Sequence, residues 1–343
     1  MFPPSLPLPH ELLTRPLAAR FEDFFDAQVR SRYFKGLEFA GPEGDPGWFG
    51  PDSAVWYVHS HFPTLAFGLA CASYIEGLDP SIFWMAADHV RFVVRDAEGR
   101  PTGQIDPEGA AVRFGHSLSF FIGTAYGSTE TAERLARTVR AMHHTVKGTR
   151  PDGLPYDADD PEWLRWNYAT VVWGIATAHE RYHPRPLRGA ELDRYYGEFV
   201  RVGHALGGTD LPATKAETLD CLHSYLPRLA VTPGKAERTD PNLRGAQTGP
   251  LDNPFMDWAI RDTLPRWAAR MVMYQRPNPI ELRARRSALW TVLNSLHAVT
   301  GPLPEFRQAQ ARVAGGTAVP HTEPAYVLGS DPERTREEVE ADA

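Results

Sequence analysis

Apolar residues recur every three or four positions along most of the chain, a spacing typical of helices. Alternation of apolar and polar residues is convincing only over VRFVVRD, residues 90–96, which the turn residues Gly99 and Pro101 follow. The predicted helices cover approximately residues 10–34, 53–76, 79–89, 107–126, 129–147, 160–182, 189–206, 214–230, 254–275 and 279–299. The pattern therefore predicts an all-α fold.

Several helix starts carry capping signals. The sequence DDPEW places an acidic N-cap before Pro161, and TKAE at 214–217 has the form of a capping box. The segment 231–253 is rich in Pro, Gly, Asn and Asp and predicts a long surface loop, but the helices on both sides are equally apolar. We therefore expect one large helical domain over residues 1–312, followed by a polar, flexible tail over 313–343.

Composition narrows the class of protein. The 343 residues are 42% hydrophobic and 23% charged, as in soluble globular proteins, and a net charge of −7 without a long Lys/Arg cluster argues against a nucleic-acid partner. The N-terminus lacks a signal-peptide pattern, and the longest nearly apolar run, 62–75, is too short to cross a bilayer. Cys71 and Cys221 have no CxxC spacing. We expect a cytoplasmic protein with no membrane anchor and two buried structural thiols.

Two adjacent histidines lie near the end of the predicted helix 129–147, which a Ser-Thr-Glu cap opens and Gly148 closes. Its apolar positions form one stripe: Ala132, Leu135, Ala136, Val139, Met142 and Val146. His143 falls on this stripe, whereas His144 is rotated off it toward solvent. The spacing therefore predicts that His143 faces inward.

Two cations bracket His143 on the predicted helix. Arg140 at i−3 and Lys147 at i+4 lie on nearly the same face, where they disfavour the protonated imidazole. A neutral imidazole suits a metal or a haem iron, and the cations suit haem propionates. The alternative is a core histidine bonded to a backbone carbonyl, with the cations extending to water.

The preceding helix carries a second polar group of residues. Arg113, His116 and Ser117 fall at i, i+3 and i+4 and share one face. This face is interpreted either as the polar side of a pocket or as a solvated surface. The helix 161–182 is apolar on most of its circumference and contains three tryptophans and Tyr168, which either pack in the core or line a flat cofactor.

Four segments in order resemble the MpaB-like oxygenase family, which includes the rubber oxygenases. They are GPDSAVWYVHSHF at 50–62, the helix with Arg113 and Ser117, VRAMHHTVKG at 139–148, and YDADDPEWLRWNYATVV at 156–172. The similarity runs from about residue 45 to about residue 230. It implies an all-helical single domain with a globin-like core and one non-covalently bound haem b.

The resemblance also implies roles for individual residues. The family pattern R-x-x-H-x-x-x-R, whose histidine is the proximal iron ligand, falls on Arg140, His143 and Lys147, with lysine in place of the last arginine. A pattern R-x-x-x-T falls on Arg113 and Ser117, with serine in place of threonine. His116 and Tyr168 also replace residues of the family pattern.

His116 occupies the position of a family lysine, and it is interpreted as an acid–base group, a hydrogen-bond donor to bound oxygen or a second iron ligand. Tyr168 replaces a histidine beside the predicted cofactor.

These observations predict a haem b-dependent oxygenase or oxidase that acts on a small organic substrate with O2. Its predicted catalytic residues are Arg113, His116 and Ser117, and its predicted cofactor-binding residues are His143, Arg140, Lys147, Arg113 and Tyr168. One alternative is a non-catalytic sensor or carrier with a bis-histidine iron. Another is a helical protein without a cofactor.

A zinc protease is a further alternative, because HERYH at 179–183 resembles the motif H-E-x-x-H. However, Pro184 and Pro186 follow immediately, and no convincing third ligand lies downstream.

Overall fold

The computed structural model describes residues 16, 19–89, 93–231 and 254–315, without the side chains of 101, 103–105 and 107. A π-helical turn, Asp26–Arg30, continues into a short α-helical turn, Ser31–Tyr33. The helices after it are α1 (Ala54–Ser60), α2 (Phe62–Glu76), α3 (Pro80–His89), α4 (Pro107–Tyr126), α5 (Thr129–His143), α6 (Pro161–Tyr182), α7 (Ala190–Ala205), α8 (Lys215–Ser224), α9 (Pro254–Thr263), α10 (Arg266–Met271), α11 (Pro279–Thr300) and α12 (Pro304–Val313). Four short strands form two antiparallel pairs: β1 (Val93–Arg95) with β2 (Pro101–Ile105), and β3 (Lys147–Thr149) with β4 (Pro155–Asp157).

Helices α2 and α6 form the centre of the fold and pack along each other. Their backbones approach closely where two glycines meet: a Cβ on Gly174 would lie 2.5 Å from the carbonyl oxygen of Gly68. Both helices are buried on almost their whole circumference. This explains why their sequences lack a polar face.

Apolar side chains form two large clusters on either side of this central pair. One cluster joins α1, α4, α7 and α12, and it includes Trp56, Tyr126, Phe199 and Phe306. The other joins α2 and α6 to α8, α9, α10 and α11. Helix α6 contributes to both clusters, with different faces packed into each.

The structure confirms the helical class and many of the predicted starts. Asp160 caps α6 by accepting the N–H groups of Glu162, and Thr214 caps α8 by accepting the N–H of Glu217. Cys71 and Cys221 are buried free thiols. The globin-like arrangement and the domain boundary at residue 312 remain predictions.

Two predicted helices are divided by proline. The predicted helix 53–76 breaks at His61, because Pro63 has no N–H to continue the helical hydrogen bonds of α1 and its ring would clash with a preceding carbonyl. The predicted helix 254–275 breaks in the same way at Pro265, which separates α9 from α10.

Helix α5 ends earlier than predicted, at His143 rather than at 147. The chain then enters β3, where Gly148 pairs with Tyr156 of β4 and its missing side chain leaves space for the Tyr156 hydroxyl. Gly148 is therefore a strand residue and not the residue that ends the helix. The sequence pattern also missed the β3–β4 pair itself.

Helix α12 was not predicted, and it joins the two ends of the described chain. Arg312 is almost wholly buried and donates hydrogen bonds to the carbonyls of Phe39 and Asp45, both at 2.7 Å, and of Tyr126 at 2.9 Å. A guanidinium can satisfy several carbonyls at once, so α12 is fixed to the start of the fold.

Some sequence predictions lie outside the described residues. These are most of the loop 231–253, most of the tail 313–343, residues 90–92 of the predicted strand and the first part of the helix 10–34. Within the part of the chain that the structure describes, no helix combines the length and the apolar character needed to cross a bilayer.

Candidate functional site

His143 is the last residue of α5, and its side chain is buried, as predicted. The imidazole meets the edge of Trp163 at the start of α6, with ring centres 5.3 Å apart and planes at 87°. Trp163 in turn packs against a small cluster of Met85, Tyr156 and Ala158. Among the described residues no group hydrogen-bonds to the His143 Nδ1 atom. The structure thus holds this ring by packing and leaves a buried nitrogen available.

The surroundings of His143 favour its neutral form. Burial lowers the pKa of His143 from 6.5 to about 4, and the positive charges of Arg113 and His144 lower it further, whereas Asp159 acts in the opposite direction. The imidazole is therefore neutral at pH 7. A neutral imidazole with an unused nitrogen is a potential ligand for a metal or a haem iron.

His144 faces away from the core, as the helical spacing predicts. Its side chain is 53% exposed, and its Nδ1 atom lies 2.7 Å from Oδ2 of Asp159. The two neighbouring histidines therefore have different environments, and only His143 is enclosed.

Lys147 does not share the face of His143, which corrects the sequence interpretation. It begins β3, and its ammonium is exposed and lies 2.9 Å from the Asp157 carboxylate of β4. The i+4 relationship requires a continuous helix, and α5 ends before Lys147.

Arg140 lies on the exposed side of α5 and packs across the C-terminal end of α7. The Arg140 guanidinium packs against Gly207, where a Cβ would lie 3.4 Å from the Arg140 Nε atom. Gly207 has a positive φ of 98°, a conformation that favours glycine. Gly207 directly follows Leu206, which lines the cavity described next. Arg140 is thus placed near the rim of that cavity.

A narrow cavity lies between α4, α6 and α7. Its lining is almost entirely apolar and consists of Phe121, Leu164, Asn167, Tyr168, Val171, Phe199, Val202, Gly203 and Leu206. Its volume is about 20 Å³. Leu164 of this lining directly follows Trp163, so the cavity and the His143 pocket share the first turn of α6.

Tyr168 is one wall of this cavity. Its ring is stacked on Phe199 at 6.1 Å, and its hydroxyl donates to the carbonyls of Pro212 at 3.3 Å and Tyr196 at 3.4 Å. Burial raises the pKa of Tyr168 well above its usual value. Tyr168 therefore combines an apolar face toward the cavity with a neutral hydroxyl that is engaged elsewhere.

The predicted trio on α4 is only partly brought into the site. Arg113 is exposed but lies close enough to His143 to affect its pKa. His116 is exposed and contacts the Tyr33 ring at 4.9 Å, and Ser117 is partly buried. Neither His116 nor Ser117 lines the cavity.

His61 of HSH meets the histidines of HERYH in the interior, although the two motifs are about 120 residues apart in sequence. His61 lies between His183, at a ring distance of 5.1 Å, and His297 of α11, at 4.0 Å. His179 stacks on His183 at 4.4 Å and accepts the N–H of Leu187 through Nε2. Burial lowers the pKa of His61 to about 3.

These imidazoles stack on one another and cap the backbone rather than converge on one point. Nowhere in residues 16–315, as far as they are described, do three or more His, Cys, Asp or Glu side chains form a group that could hold a metal ion. The zinc protease alternative therefore gains no support from the geometry.

Sequence reasoning missed two parts of the site. Trp163 was identified only as one of several tryptophans, and its contact with His143 depends on how α5 meets α6. Asp159 was not singled out, although it pairs with His144 and acts on His143. The acidic run DADD before Pro161 was the available signal, but it was interpreted only as a helix cap.

Comparison with known proteins gives one family. Residues 56–294 match the family described as ER-bound oxygenase mpaB/B′/rubber oxygenase, catalytic domain. The match spans α1 to most of α11 and includes His143, Trp163 and the cavity. No curated protein and no solved structure shows significant similarity to the chain.

Proposed function

Because the chain belongs to the family of ER-bound mpaB and rubber oxygenase catalytic domains, we propose that it is a haem b-dependent oxygenase acting on a small organic substrate with O2. Family membership makes the protein an oxidoreductase, which favours turnover over a non-catalytic sensor or carrier. The proposal adds the cofactor, its ligand and the substrate class.

The observation that carries the proposal is the state of His143. Its ring is buried, it is neutral at pH 7 and its Nδ1 atom has no hydrogen-bond partner in the described part of the chain. A buried polar atom without a partner is unfavourable, and coordination to iron would remove this cost. The chemistry of this donor fits a haem.

The other residues define what the chain contributes once haem is bound. The cofactor supplies the oxygen chemistry, and the protein supplies binding, orientation and electrostatics. Trp163 fixes the plane of the His143 ring, the apolar wall between α4 and α7 excludes water, and Arg140 and Arg113 offer cations for the propionates. The cavity of about 20 Å³ is too small for a haem, so the proposal requires it to widen when the cofactor binds.

Four residues of the family pattern are replaced in this chain: Lys147, His116, Ser117 and Tyr168. These replacements alter the polar groups that the resemblance places around the cofactor. Tyr168 presents its ring to the cavity while its hydroxyl is bonded to backbone carbonyls, so we assign it a shaping role. We propose that Arg113, His116 and Ser117 act on the substrate side of the bound cofactor.

The test is the optical spectrum of the protein purified after expression with excess haem. The wild type is expected to show a Soret band with about one haem per chain. His143→Ala is expected to lose most of this absorption, because it removes the proposed ligand. His144→Ala is the matched control on the adjacent residue and should retain haem, since His144 is exposed and paired with Asp159.

Two results would contradict the proposal. Wild-type protein without Soret absorption after reconstitution would show that the chain does not bind haem. Equal haem content in the two variants would show that His143 is not the ligand. Circular dichroism of both variants distinguishes loss of haem from loss of fold.

A further inference from the structure

An arginine cluster surrounds a single buried carboxylate at the C-terminal end of α6. Asp262 of α9 has a fully buried side chain, and Arg286 of α11 donates to its Oδ2 atom at 2.7 Å. Arg276, between α10 and α11, lies 3.8 Å from Oδ1. Arg181 in the last turn of α6 donates to the Asp262 backbone carbonyl at 3.0 Å. Three guanidinium groups from different elements thus meet at one residue.

The charges in this cluster are not balanced. Among the described residues, the charged groups that act on Arg276 are one carboxylate, Asp262, and three further cations: Arg181, Arg286 and Arg266. Burial and the three neighbouring cations lower the pKa of Arg276, and the attraction of Asp262 does not offset them. Like charges held together in a partly desolvated site repel strongly. Among the described residues, the guanidinium groups at this place therefore outnumber the carboxylates.

The cluster also has hydrogen-bond donors to spare. Each guanidinium carries five N–H groups. For Arg181 the structure shows one hydrogen bond, to a carbonyl, and for Arg276 it shows only the long ion pair with Asp262. The Arg276 side chain is 27% exposed, and Arg266 at the start of α10 is exposed. Solvent therefore reaches a group of arginines whose donors are only partly used.

We propose that Arg181, Arg266 and Arg276 bind a small oxyanion at the C-terminal end of α6, with Arg286 and Asp262 holding the arginines in place. Two guanidinium forks can bind the oxygens of a phosphate or a carboxylate in a bidentate manner. A bound anion would also reduce the repulsion among the arginines of the described residues. Phosphate and carboxylate share this chemistry, and binding assays separate them.

This site is distinct from the proposed haem site. Arg181 follows Trp163 by eighteen residues on one continuous helix, so the two places are about 27 Å apart along α6. The proposed oxyanion is therefore an effector or stabilising ligand rather than the group that reacts. The inference does not depend on haem.

The test is calorimetric titration of the full chain with sodium phosphate, at pH 7.5 and at an ionic strength held constant with sodium chloride. We expect a single site with a dissociation constant in the low millimolar range or below. Parallel titrations with sodium sulfate and sodium succinate distinguish a tetrahedral oxyanion from a carboxylate. Constant ionic strength is essential because added salt alone screens the arginines.

Two substitutions test the residues. Arg276→Gln is expected to weaken phosphate binding about tenfold or more, because it removes a charge and a donor fork. Arg266→Gln affects an exposed side chain, so the variant should fold, and it should also weaken binding. In chloride alone Arg266→Gln should raise the melting temperature, because it relieves repulsion that no anion offsets.

The matched control is Arg100→Gln in the turn between β1 and β2, where the side chain is 71% exposed and pairs with Asp96 and Glu98. It should bind phosphate as the wild type does. The proposal is overturned if none of the three anions binds more tightly than chloride. Equal affinity in Arg266→Gln and Arg100→Gln would overturn it as well.

Discussion

The two ends of α6 bury polar groups in opposite ways. At the first turn, one neutral imidazole, His143, contacts Trp163 and has an unused nitrogen atom. At the last turn, His179 and His183 are bonded to the backbone that follows the helix, while Arg181 joins a cluster in which, among the described residues, guanidinium groups outnumber carboxylates. One end therefore presents a neutral imidazole, and the other presents crowded cations.

This difference teaches which kind of ligand each end can accept. A neutral nitrogen beside an apolar cavity suits a metal-containing cofactor, whereas crowded guanidinium groups suit an oxyanion. Histidine alone does not mark a site, because most of the buried histidines lie at the end that we do not assign to iron. His59, His61 and His179 also each have a buried ring nitrogen without a hydrogen-bond partner among the described residues, so the proposal for His143 rests on the family match as well as on its open nitrogen.

The largest expected effect is a loss of folding stability at acidic pH. His59, His61 and His179 are buried, and burial lowers the pKa of each far below 6.5. The folded state therefore keeps them neutral while the unfolded chain takes up protons below pH 6.5. Stability is fully present above pH 6.5 and falls as the pH drops from 6.5 toward 3, by about 1.4 kcal/mol per pH unit for each histidine.

Urea unfolding at pH 8, 6 and 5 measures this loss, which should total about 4 kcal/mol per pH unit for the three residues. A free energy of unfolding that is constant between pH 8 and 5 would show that these histidines are not held neutral.

The next largest effect should come from disturbing the packing of α6 against α2. Gly174→Val places a side chain against the Gly68 carbonyl oxygen, which a Cβ would approach to 2.5 Å, so α2 and α6 must separate. We expect a loss of about 3 kcal/mol in urea unfolding, with both ends affected. Gly197→Ala on α7 is the control, because its Cβ would make only an ordinary van der Waals contact with the Ala213 carbonyl oxygen at 3.7 Å and alanine favours helix by up to about 1 kcal/mol. Similar stabilities for the two variants would rule out the close approach.

A smaller effect should be confined to the first turn of α6. Trp163→Leu removes the ring that covers His143, so the pKa of His143 should rise from about 4 toward 6.5. The stability should fall by about 2 kcal/mol. An NMR titration of the His143 ring protons in the haem-free protein measures the first change. Trp290→Leu, at a ring 42% exposed on α11, should alter neither quantity appreciably.

The smallest expected effect is a change in the pKa of His143 when a neighbouring charge is removed. Asp159→Asn removes a charge that raises the pKa of His143, so that pKa should fall below about 4, while the stability should change by less than about 1 kcal/mol. The same NMR titration measures it. Asp157→Asn breaks the exposed pair with Lys147 and serves as control. An unchanged His143 pKa in Asp159→Asn would mean that Asp159 does not act on the ring.

Local signals made a large part of this fold predictable. Periodicity identified the helices, and the caps at Asp160 and Thr214 were readable because a cap depends on residues three positions apart. The inward position of His143 relative to His144 was predictable for the same reason, since 100° per residue separates neighbours on any helix.

Contacts between distant segments were not predictable in this way. Lys147 was assigned to a helical face, but pairing of β3 with β4 places it in a strand, and the helical pattern contains no information about Tyr156 on the opposite strand. The break at His61 was signalled by Pro63 and was overlooked, because the apolar pattern continues across it.

Spacing along single elements was enough to predict the helical class, the helix caps and which of two neighbouring histidines faces inward. Packing between elements was needed to show that Trp163 contacts His143, that Tyr168 faces a cavity, and that Arg181 and Arg276 meet at Asp262. These depend on the close packing of α6 against its neighbours. Burial and charge balance are properties of that packing, and the chain acquires them only on folding.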